Sequence, residues 1–331
     1  MRVAVLVESW GEPWNEGYKN LARYIVETIN DLIDVSVIPA NGARILTLKR
    51  FDLIHIFNYP IPPHFFAYFA RMRVPILKHV AKKELDVGIR PLMRNLLYVK
   101  LIWDAFITTT NVLKEEVGRL AGGKPVFYLP PPIPTNYFKK LDKDECRRIL
   151  GLAPRTIYIG YTGTLNKFRH LEVIIKALRQ VDERVKLIIS LTNIKPKRLI
   201  ELKKFLAGDK VRFVGVKDIR LFYSSLDLLV YPVEQEGAIE PPLTLLEAMS
   251  CGCPVAAYRN VITSQLISDG HNGFLFSSPE GLAEVIGKVA RGELDMEAIS
   301  EKARKTITQN YDASVLRNSY VEVYEKLINK R

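Results

Sequence analysis

The chain has 331 residues, of which 48% are hydrophobic and 25% are charged, and this composition is typical of a globular protein. It excludes a disordered, a collagen-like or a disulfide-stapled chain, and at about 100–200 residues per domain the length suggests two domains or one large one. With 48 Lys and Arg against 36 Asp and Glu, the net charge of +12 favours anionic partners: nucleic acid, an acidic membrane surface or phosphate-bearing substrates.

The cysteines and the apolar runs predict a cytoplasmic protein. Three cysteines are too few, and odd in number, for a disulfide framework. No apolar run approaches the roughly 18–20 residues of a membrane span, and the run at 3–7 is too short for a secretory signal. The abundance of Lys and Ile beside only four Gln leans toward a thermophilic source.

Short apolar runs alternate with helical patterns along the first half of the chain. Predicted helices cover 20–33 and 112–120. The predicted strands lie at 3–7, 35–38, 53–57, 75–80, 105–109 and 126–129. Strands that are apolar throughout and separated by helices predict a parallel sheet covered on both faces. A proline cluster at 129–134 predicts a stiff connection at the edge of a first domain, because proline lacks an N–H group and disfavours a preceding helix.

The alternation restarts after the prolines. The predicted strands lie at 157–162, 185–190, 211–214, 228–232, 255–257 and 274–276. The predicted helices cover 171–181, 198–206, 243–249, 282–290 and a long final stretch at 312–331. Two consecutive βαβ-type halves predict a cleft, and such folds bind ligands at the carboxyl ends of their strands.

The strongest local signal runs from 231 to 255, YPVEQEGAIEPPLTLLEAMSCGCPV. A helix is predicted to start near Pro242, since proline suits a first turn, and the N–H groups of Leu243 and Thr244 at that start suit a phosphate. Glu247 follows in an apolar patch, where a carboxylate needs a partner. A ribose diol would be one, because a carboxylate accepts both hydroxyl protons; stabilisation of Glu247 by the helix dipole is the structural alternative.

Four motifs together resemble those of the family 4 glycosyltransferases, which are retaining enzymes of the GT-B fold that use nucleotide-sugar donors. LLEAMSCGCPV at 245–255 matches the family pattern LLEAMACGxPVV, and DGHNGFLF at 269–276 matches DGxNGFLF. LFYSSLDLLVYP at 221–232 matches LYxxADVFVxPS, and GYTGTL at 160–165 matches YxGRL. The resemblance spans nearly the whole chain, and it is specific in the second half and loose in the first.

The resemblance implies an α/β protein with two Rossmann-like domains that face each other across a cleft. Residues 1–138 would bind the acceptor, 139–311 would bind the donor, and the helix at 312–331 would cross back to the first domain. The nucleotide-sugar would be a substrate, with no cofactor. No Asp-x-Asp motif stands in a suitable place, so no metal is expected in the chemistry.

The acidic residue that faces the donor sugar departs from the family pattern. The family has two Glu separated by seven residues, and counting back from Glu247 gives Ile239. A one-residue deletion would make Glu240 the partner, so Glu240 is the favoured catalytic candidate. Glu236 is the next candidate, and Glu234 lies further upstream.

The donor diphosphate is expected to lie near the residues that follow the strand at 157–162. Gly163 occupies the family's glycine position, but Thr164 replaces the arginine that follows it. The family's lysine falls at Arg169, with Lys167 beside it, and cations here would neutralise a diphosphate. In the first half, Gly17 matches one of two family glycines that let the backbone approach a ligand. A solvated loop for the cations and a plain turn for the glycine are the structural alternatives.

Two predicted strands of the first half contain a histidine. His79 ends the strand at 75–80, where the family often has a histidine close to the donor sugar, so His79 is a further catalytic candidate. His55 lies within the strand at 53–57 and matches a family histidine that is mostly structural.

A basic cluster interleaved with aromatic residues lies between 71 and 100, and it includes Lys82, Lys83, Arg90 and Arg94. Such surfaces suit the interface of an anionic membrane, and in the resembled family the first domain binds an acceptor that is often lipid-linked. The alternative is that the aromatics are core and the cations a solvated face. The expected partners are therefore a nucleotide-sugar, a glycan or lipid-linked acceptor and an anionic membrane surface on its cytoplasmic face.

The expected function is transfer of a sugar to a lipid-linked or cell-envelope glycan with retention of configuration. The irregular Glu spacing and Thr164 keep open a non-catalytic homologue that binds a nucleotide-sugar or a glycan as a partner subunit. A nucleic-acid binder rests on charge alone, since no helix-turn-helix signature or stacking platform accompanies it, and nucleic acid is not expected as a partner.

Overall fold

Two units, each built on one parallel sheet, divide the chain. The computed structural model describes residues 1–12, 17–39, 43–57, 73–82, 101–164, 169–192, 194, 196–206, 209–234 and 239–330. Unit 1 comprises Met1–Pro134, Gly237–Glu240 and Ala313–Arg331. Unit 2 comprises Thr135–Glu236 and Pro241–Asp312.

The described part of unit 1 contains a six-stranded sheet. Its strands are β1 Arg2–Val7, β2 Asp34–Pro39, β3 Leu53–Ile56, β4 Ile76–Val80, β5 Ala105–Thr108 and β6 Val126–Tyr128. They pair in parallel in the order β2-β1-β3-β4-β5-β6. Strands β3 and β5 are buried at every position, as expected for strands covered on both faces. The order reverses between β1 and β3, which makes this pair the point where ligands bind in such sheets.

The described part of unit 2 contains a second six-stranded parallel sheet. Its strands are β7 Ile157–Gly163, β8 Val185–Leu191, β9 Val211–Phe213, β10 Leu228–Tyr231, β11 Val255–Tyr258 and β12 Phe274–Phe276. Their order is β12-β11-β10-β7-β8-β9, which is the 3-2-1-4-5-6 order of dinucleotide-binding folds. The switch point therefore lies between β7 and β10.

Helices cover both sheets. They are α1 Gly17–Ile29, α2 Asn111–Leu120, α3 Lys143–Ile149, α4 Leu171–Leu178, α5 Pro196–Phe205, α6 Ile219–Ser225, α7 Leu243–Ser250, α8 Val261–Leu266, α9 Pro279–Arg291, α10 Met296–Asn310 and α11 Ala313–Ile328, with a 3₁₀ helix at Ala43–Arg50. The last helix, α11, packs on α1 and β3 of unit 1. There Tyr320 donates its hydroxyl proton to the carbonyl of Pro130 at 3.0 Å, which ties the proline segment to the helix.

The predicted α/β fold class is confirmed, and a strand is present at each of the twelve predicted positions. One long helix, α10, was not predicted. Its buried positions are Ile299, Ser300, Ala303 and Ile307, so two of its four core residues are small and the apolar stripe is weak in the sequence. The Ser300 hydroxyl compensates by donating a hydrogen bond to the carbonyl of Gly252.

Candidate active site

The carboxyl ends of β7 and β10 bring several predicted site residues of unit 2 to the switch point of its sheet. Gly163 ends β7 with φ = +129°, a backbone conformation that favours glycine. Thr164 follows, and its carbonyl accepts a hydrogen bond from the Tyr161 hydroxyl at 2.8 Å. The strand therefore ends in a conformation that favours glycine, at the edge of the sheet where ligands bind in such folds.

Arg169 lies beside this turn. Its guanidinium stands 5.6 Å from the centre of the Tyr231 ring, and Tyr231 is the last residue of β10. Burial raises the pKa of Tyr161, against the opposing charge of Arg169. A cation is thus held between the ends of the two strands at the switch point. Lys167, predicted to act with Arg169, lies outside the described residues.

Helix α7 begins at the same edge of the sheet, because it follows β10 in the chain. Pro242 is its N-cap and makes no side-chain capping bond. The first helical hydrogen bonds run from the N–H groups of Leu245 and Leu246 to the Pro242 carbonyl. The N–H groups of Leu243 and Thr244 precede these bonds, at the positive end of the helix dipole where anions are bound.

Glu247 lies one turn into α7 and is 6% exposed. The hydroxyl of Tyr223, on α6, donates to Glu247 Oε2 at 3.0 Å. Tyr223 is itself 1% exposed, so the bond is made in a region shielded from water. An ionised carboxylate accepts several hydrogen bonds, and one bond fixes its orientation while it accepts others. The sequence motif contained Tyr223, but nothing in the spacing assigned it as the partner of Glu247.

The segment around Glu240 belongs to unit 1. The N–H of Glu240 donates to the Ala81 carbonyl at 2.8 Å, and its carbonyl accepts a hydrogen bond from the Thr109 hydroxyl. Glu240 is 6% exposed. Its main chain is therefore fixed by two bonds to residues that follow β4 and β5. Glu236 lies outside the described residues, and the exposed Glu234 accepts a hydrogen bond from the Tyr258 hydroxyl at 3.2 Å.

Gly17 starts α1, and the structure gives a packing reason for glycine there. A Cβ atom at this position would lie 2.7 Å from Cδ1 of Ile239. Ile239 is 8% exposed and stands at the position where the resembled family has glutamate. The space beside Gly17 is thus filled by an apolar side chain of unit 1.

His79 lies in β4 and is fully buried. Its Nδ1 stands 3.1 Å from Nε2 of His55, and its ring stacks on Phe57 with 4.6 Å between centroids. Burial lowers the pKa of His79 well below its usual value, and the neighbouring His55 and Lys78 lower it further. His79 is therefore neutral at pH 7. Among the described residues, its Nε2 has no hydrogen-bond partner.

Of the four cations predicted at a membrane or acceptor surface, Lys82 lies within the described residues. Its ammonium group is 5.4 Å from the centre of the Tyr18 ring. Lys83, Arg90 and Arg94 lie outside the described residues.

A cavity of about 350 Å³ in unit 2 lies at the opposite, amino end of its sheet. Its lining includes Asp227, which precedes β10, Pro254, which precedes β11, and Lys143 on α3. Asp227 bonds to Lys143 at 2.5 Å and to Arg147 at 2.7 Å, so each cation here already has a carboxylate partner. The cavity is therefore separate from the residues gathered at the switch point.

The described residues include no helix that is both long and apolar enough to cross a membrane. They also include no cluster of three His, Cys, Asp or Glu side chains that could hold a metal ion.

Comparison with known proteins defines the class. Residues 142–306 match the family described as glycosyl transferases group 1. The structure of Anabaena Alr3699/HepE in complex with UDP and glucose superposes with a TM-score of 0.81 at 19% identity, over 98% of this chain and 100% of that one. Unit 2 therefore belongs to the glycosyl transferases group 1 family, and the chain as a whole has the GT-B fold.

Two curated relatives illustrate the range of the family. D-inositol 3-phosphate glycosyltransferase 2 of Catenulispora acidiphila is 28% identical over 52% of this chain and 44% of its own length. N-acetyl-alpha-D-glucosaminyl L-malate synthase of Bacillus anthracis is 21% identical over 85% of this chain and 76% of its own. The matched stretch thus spans less than half the length of the first relative, and the two names give different acceptors.

Proposed function

We propose that the chain transfers a sugar from a nucleotide-sugar donor to a lipid-linked or cell-envelope glycan, with retention of anomeric configuration. The observation that carries the proposal is the buried Glu247 carboxylate, which Tyr223 holds one turn below a helix start at the switch point of the sheet. The structure of HepE with UDP and glucose, which has the same fold, supports a nucleotide donor.

In this proposal unit 2 binds the donor through three kinds of contact. Glu247 accepts the hydroxyl protons of the ribose. The N–H groups of Leu243 and Thr244, with backbone at Gly163 and Thr164, donate to the diphosphate. Arg169 and Lys167 neutralise its charge. Because these groups are already in place before reaction, they stabilise the charge that develops on the departing diphosphate oxygen.

The transfer needs no protein nucleophile. The bond between the anomeric carbon and the diphosphate oxygen breaks, and the acceptor oxygen bonds to that carbon on the same face. The acceptor's hydroxyl proton passes to the departing phosphate oxygen, so charge and atoms balance. The roles of Glu240, Glu236 and His79 toward the transferred sugar, and of Gly17 toward a phosphate or the acceptor, remain predictions.

A thermal-shift screen of the purified chain against UDP-, GDP-, ADP- and TDP-sugars tests donor binding. Nucleotide-sugars of one base should raise the melting temperature of the protein more than those of the other bases do, since a ligand at 100 times its Kd stabilises the folded state by about 2.7 kcal/mol. No stabilisation by any of the four would contradict the proposed donor site.

A non-catalytic binding homologue is the second candidate, and a specific observation favours it. Ile239 fills the position of the family's first glutamate and packs beside Gly17. Such a homologue would bind the nucleotide-sugar without consuming it. Release of nucleoside diphosphate by the purified chain separates the two candidates.

Neutralising the basic cluster should weaken binding to membranes. We expect the variant with Lys82, Lys83, Arg90 and Arg94 changed to Gln to lose most of its co-sedimentation with anionic vesicles at low salt. Each cation near an anionic surface contributes about 1 kcal/mol, and salt screens that attraction. Donor affinity should stay unchanged, since none of these four residues is a proposed donor contact.

A variant with four exposed lysines of unit 2 changed to Gln carries the same loss of charge. These are Lys139, Lys140, Lys302 and Lys305. It should sediment with vesicles as the wild type does. Equal losses in both variants would indicate an effect of net charge alone, and a wild type that ignores anionic vesicles at low salt would contradict the membrane proposal.

A further inference from the structure

Three buried side chains of unit 1 form one hydrogen-bonded row. The Tyr324 hydroxyl is 2.7 Å from Nδ1 of His55, and Nε2 of His55 is 3.1 Å from Nδ1 of His79. All three residues are fully buried. The row ends at Nε2 of His79, which has no hydrogen-bond partner among the described residues.

The sheet register explains why the two histidines meet. His55 on β3 pairs with Leu77 on β4, and His79 follows Leu77 by two positions on the same face of the sheet. Diagonal neighbours of this kind lie within reach of ring side chains. Helix α11 packs on β3 and supplies Tyr324, which meets the His55 ring edge-on at 5.6 Å.

Both histidines are neutral at pH 7. Burial, with the nearby charge of Lys78, lowers the pKa of His55 to about 3. Burial also lowers the pKa of His79 well below its usual value. A neutral imidazole carries one N–H group and one acceptor nitrogen. The direction of each bond in the row therefore fixes the direction of the next.

Two directions are possible, and they leave different groups unpaired. If Tyr324 accepts a hydrogen from His55 Nδ1, its own hydroxyl hydrogen has no partner among the described residues, and His79 ends the row with an unpaired acceptor nitrogen. If Tyr324 donates to Nδ1, the hydroxyl is satisfied, His55 donates from Nε2, and one N–H group remains at His79 Nε2. The second direction leaves fewer buried groups unpaired and is therefore favoured.

We propose that Tyr324 is a positioning residue which, through His55, holds His79 in the tautomer that presents an N–H donor at Nε2. The inference rests on the proposed function, in which His79 lies close to the transferred sugar. The group that pairs with this donor is then a ligand oxygen with a lone pair, either a sugar hydroxyl or a phosphate oxygen. His79 in this tautomer is a hydrogen-bond donor and does not act as a general base.

Histidine ring nitrogens report the tautomers directly, and the chain contains only five histidines. We expect long-range ¹H–¹⁵N spectra of the full chain, without donor, to show Nε2 protonated and Nδ1 unprotonated in both His55 and His79. Tyr324→Phe removes the donor to His55, so both rings should shift toward mixed tautomers. The donor Kd of this variant should rise about tenfold, the loss of one hydrogen bond of about 1.4 kcal/mol.

Tyr320→Phe is the matched control. Tyr320 is fully buried on the same helix, one turn earlier, and donates to the Pro130 carbonyl instead of a histidine. It should lower the melting temperature as Tyr324→Phe does, but leave the ring tautomers and the donor Kd unchanged.

Three outcomes would overturn the proposal: His79 protonated at Nδ1 in the wild type, ring spectra unchanged by Tyr324→Phe, or equal tautomer changes in Tyr320→Phe. Shifted tautomers with an unchanged donor Kd would overturn the ligand role of His79. The three tautomer outcomes do not depend on whether the wild type binds a nucleotide-sugar, which the thermal-shift screen decides, so failure of the proposed function is seen separately.

Discussion

Asp227→Ala should lower the free energy of unfolding of unit 2 by about 3 kcal/mol, the lower end of the range for removing one partner of a buried ion pair, because the Asp227 side chain is 21% exposed. Asp227 precedes β10 and accepts hydrogen bonds from Arg147 at 2.7 Å and from the N–H of Tyr158 at 2.7 Å. Lys143 pairs with its other oxygen at 2.5 Å. Arg147 is only 6% exposed, so its charge would be left without a carboxylate in a region that water hardly reaches.

Two further variants show whether the loss of stability comes from the charge of Asp227. Asp227→Asn keeps an oxygen for Arg147 and Tyr158 but loses the charge, so it should lie between wild type and Asp227→Ala. Asp182→Ala removes an exposed pair with Arg184 on the same unit and should change nothing measurable. Urea unfolding followed by far-UV circular dichroism measures the change. Tryptophan fluorescence serves as the reference, since all three Trp belong to unit 1. Equal stability of Asp227→Ala and Asp182→Ala would contradict the buried-network account.

Glu247→Gln should weaken nucleotide-sugar binding by about 1–3 kcal/mol, which raises the Kd about five- to 150-fold. The carboxylate accepts hydrogen bonds as an anion, and an amide of the same shape accepts them more weakly and with only one oxygen. Isothermal titration with the donor found in the thermal-shift screen measures the effect.

Tyr223→Phe separates orientation from contact. It removes the bond that holds Glu247 Oε2 but leaves the carboxylate, so its effect on donor affinity should be smaller than that of Glu247→Gln. If Glu247 has only a structural role through the helix dipole or Tyr223, Glu247→Gln would change the melting temperature and leave the donor Kd as in wild type.

The sheets were predictable because strands buried on both faces appear in the sequence as short apolar runs, whatever side chains pack against them. Helix α10 was not predicted because its buried positions include Ser and Ala, and small residues contribute little to hydrophobic periodicity. The same reasoning holds for the short α6, whose buried face includes Ser224 and Ser225.

The motifs placed Glu247, Gly163 and the start of α7 at one edge of a sheet, because a strand end and the following helix start are local in sequence. Their partners were not predictable, since they depend on contacts between distant segments. Tyr324 meets His55 across 269 positions of sequence, and Arg147 meets Asp227 across 80. Spacing within a motif carries no information on such pairs; only the packed structure does.

The transfer itself is tested most directly by NMR on the purified chain with a nucleotide-sugar labelled with ¹³C at its anomeric carbon. The base is the one that the thermal-shift screen selects. We expect nucleoside diphosphate to appear as the donor signal falls. The first labelled product, formed by transfer to an added glycan acceptor or to water, should have the donor's anomeric configuration. The rate of donor consumption should be lower for the Glu247→Gln variant than for the wild type when the donor concentration is below the variant's Kd. A donor that binds and is never consumed, or a first product of opposite configuration, would contradict a retaining glycosyltransferase.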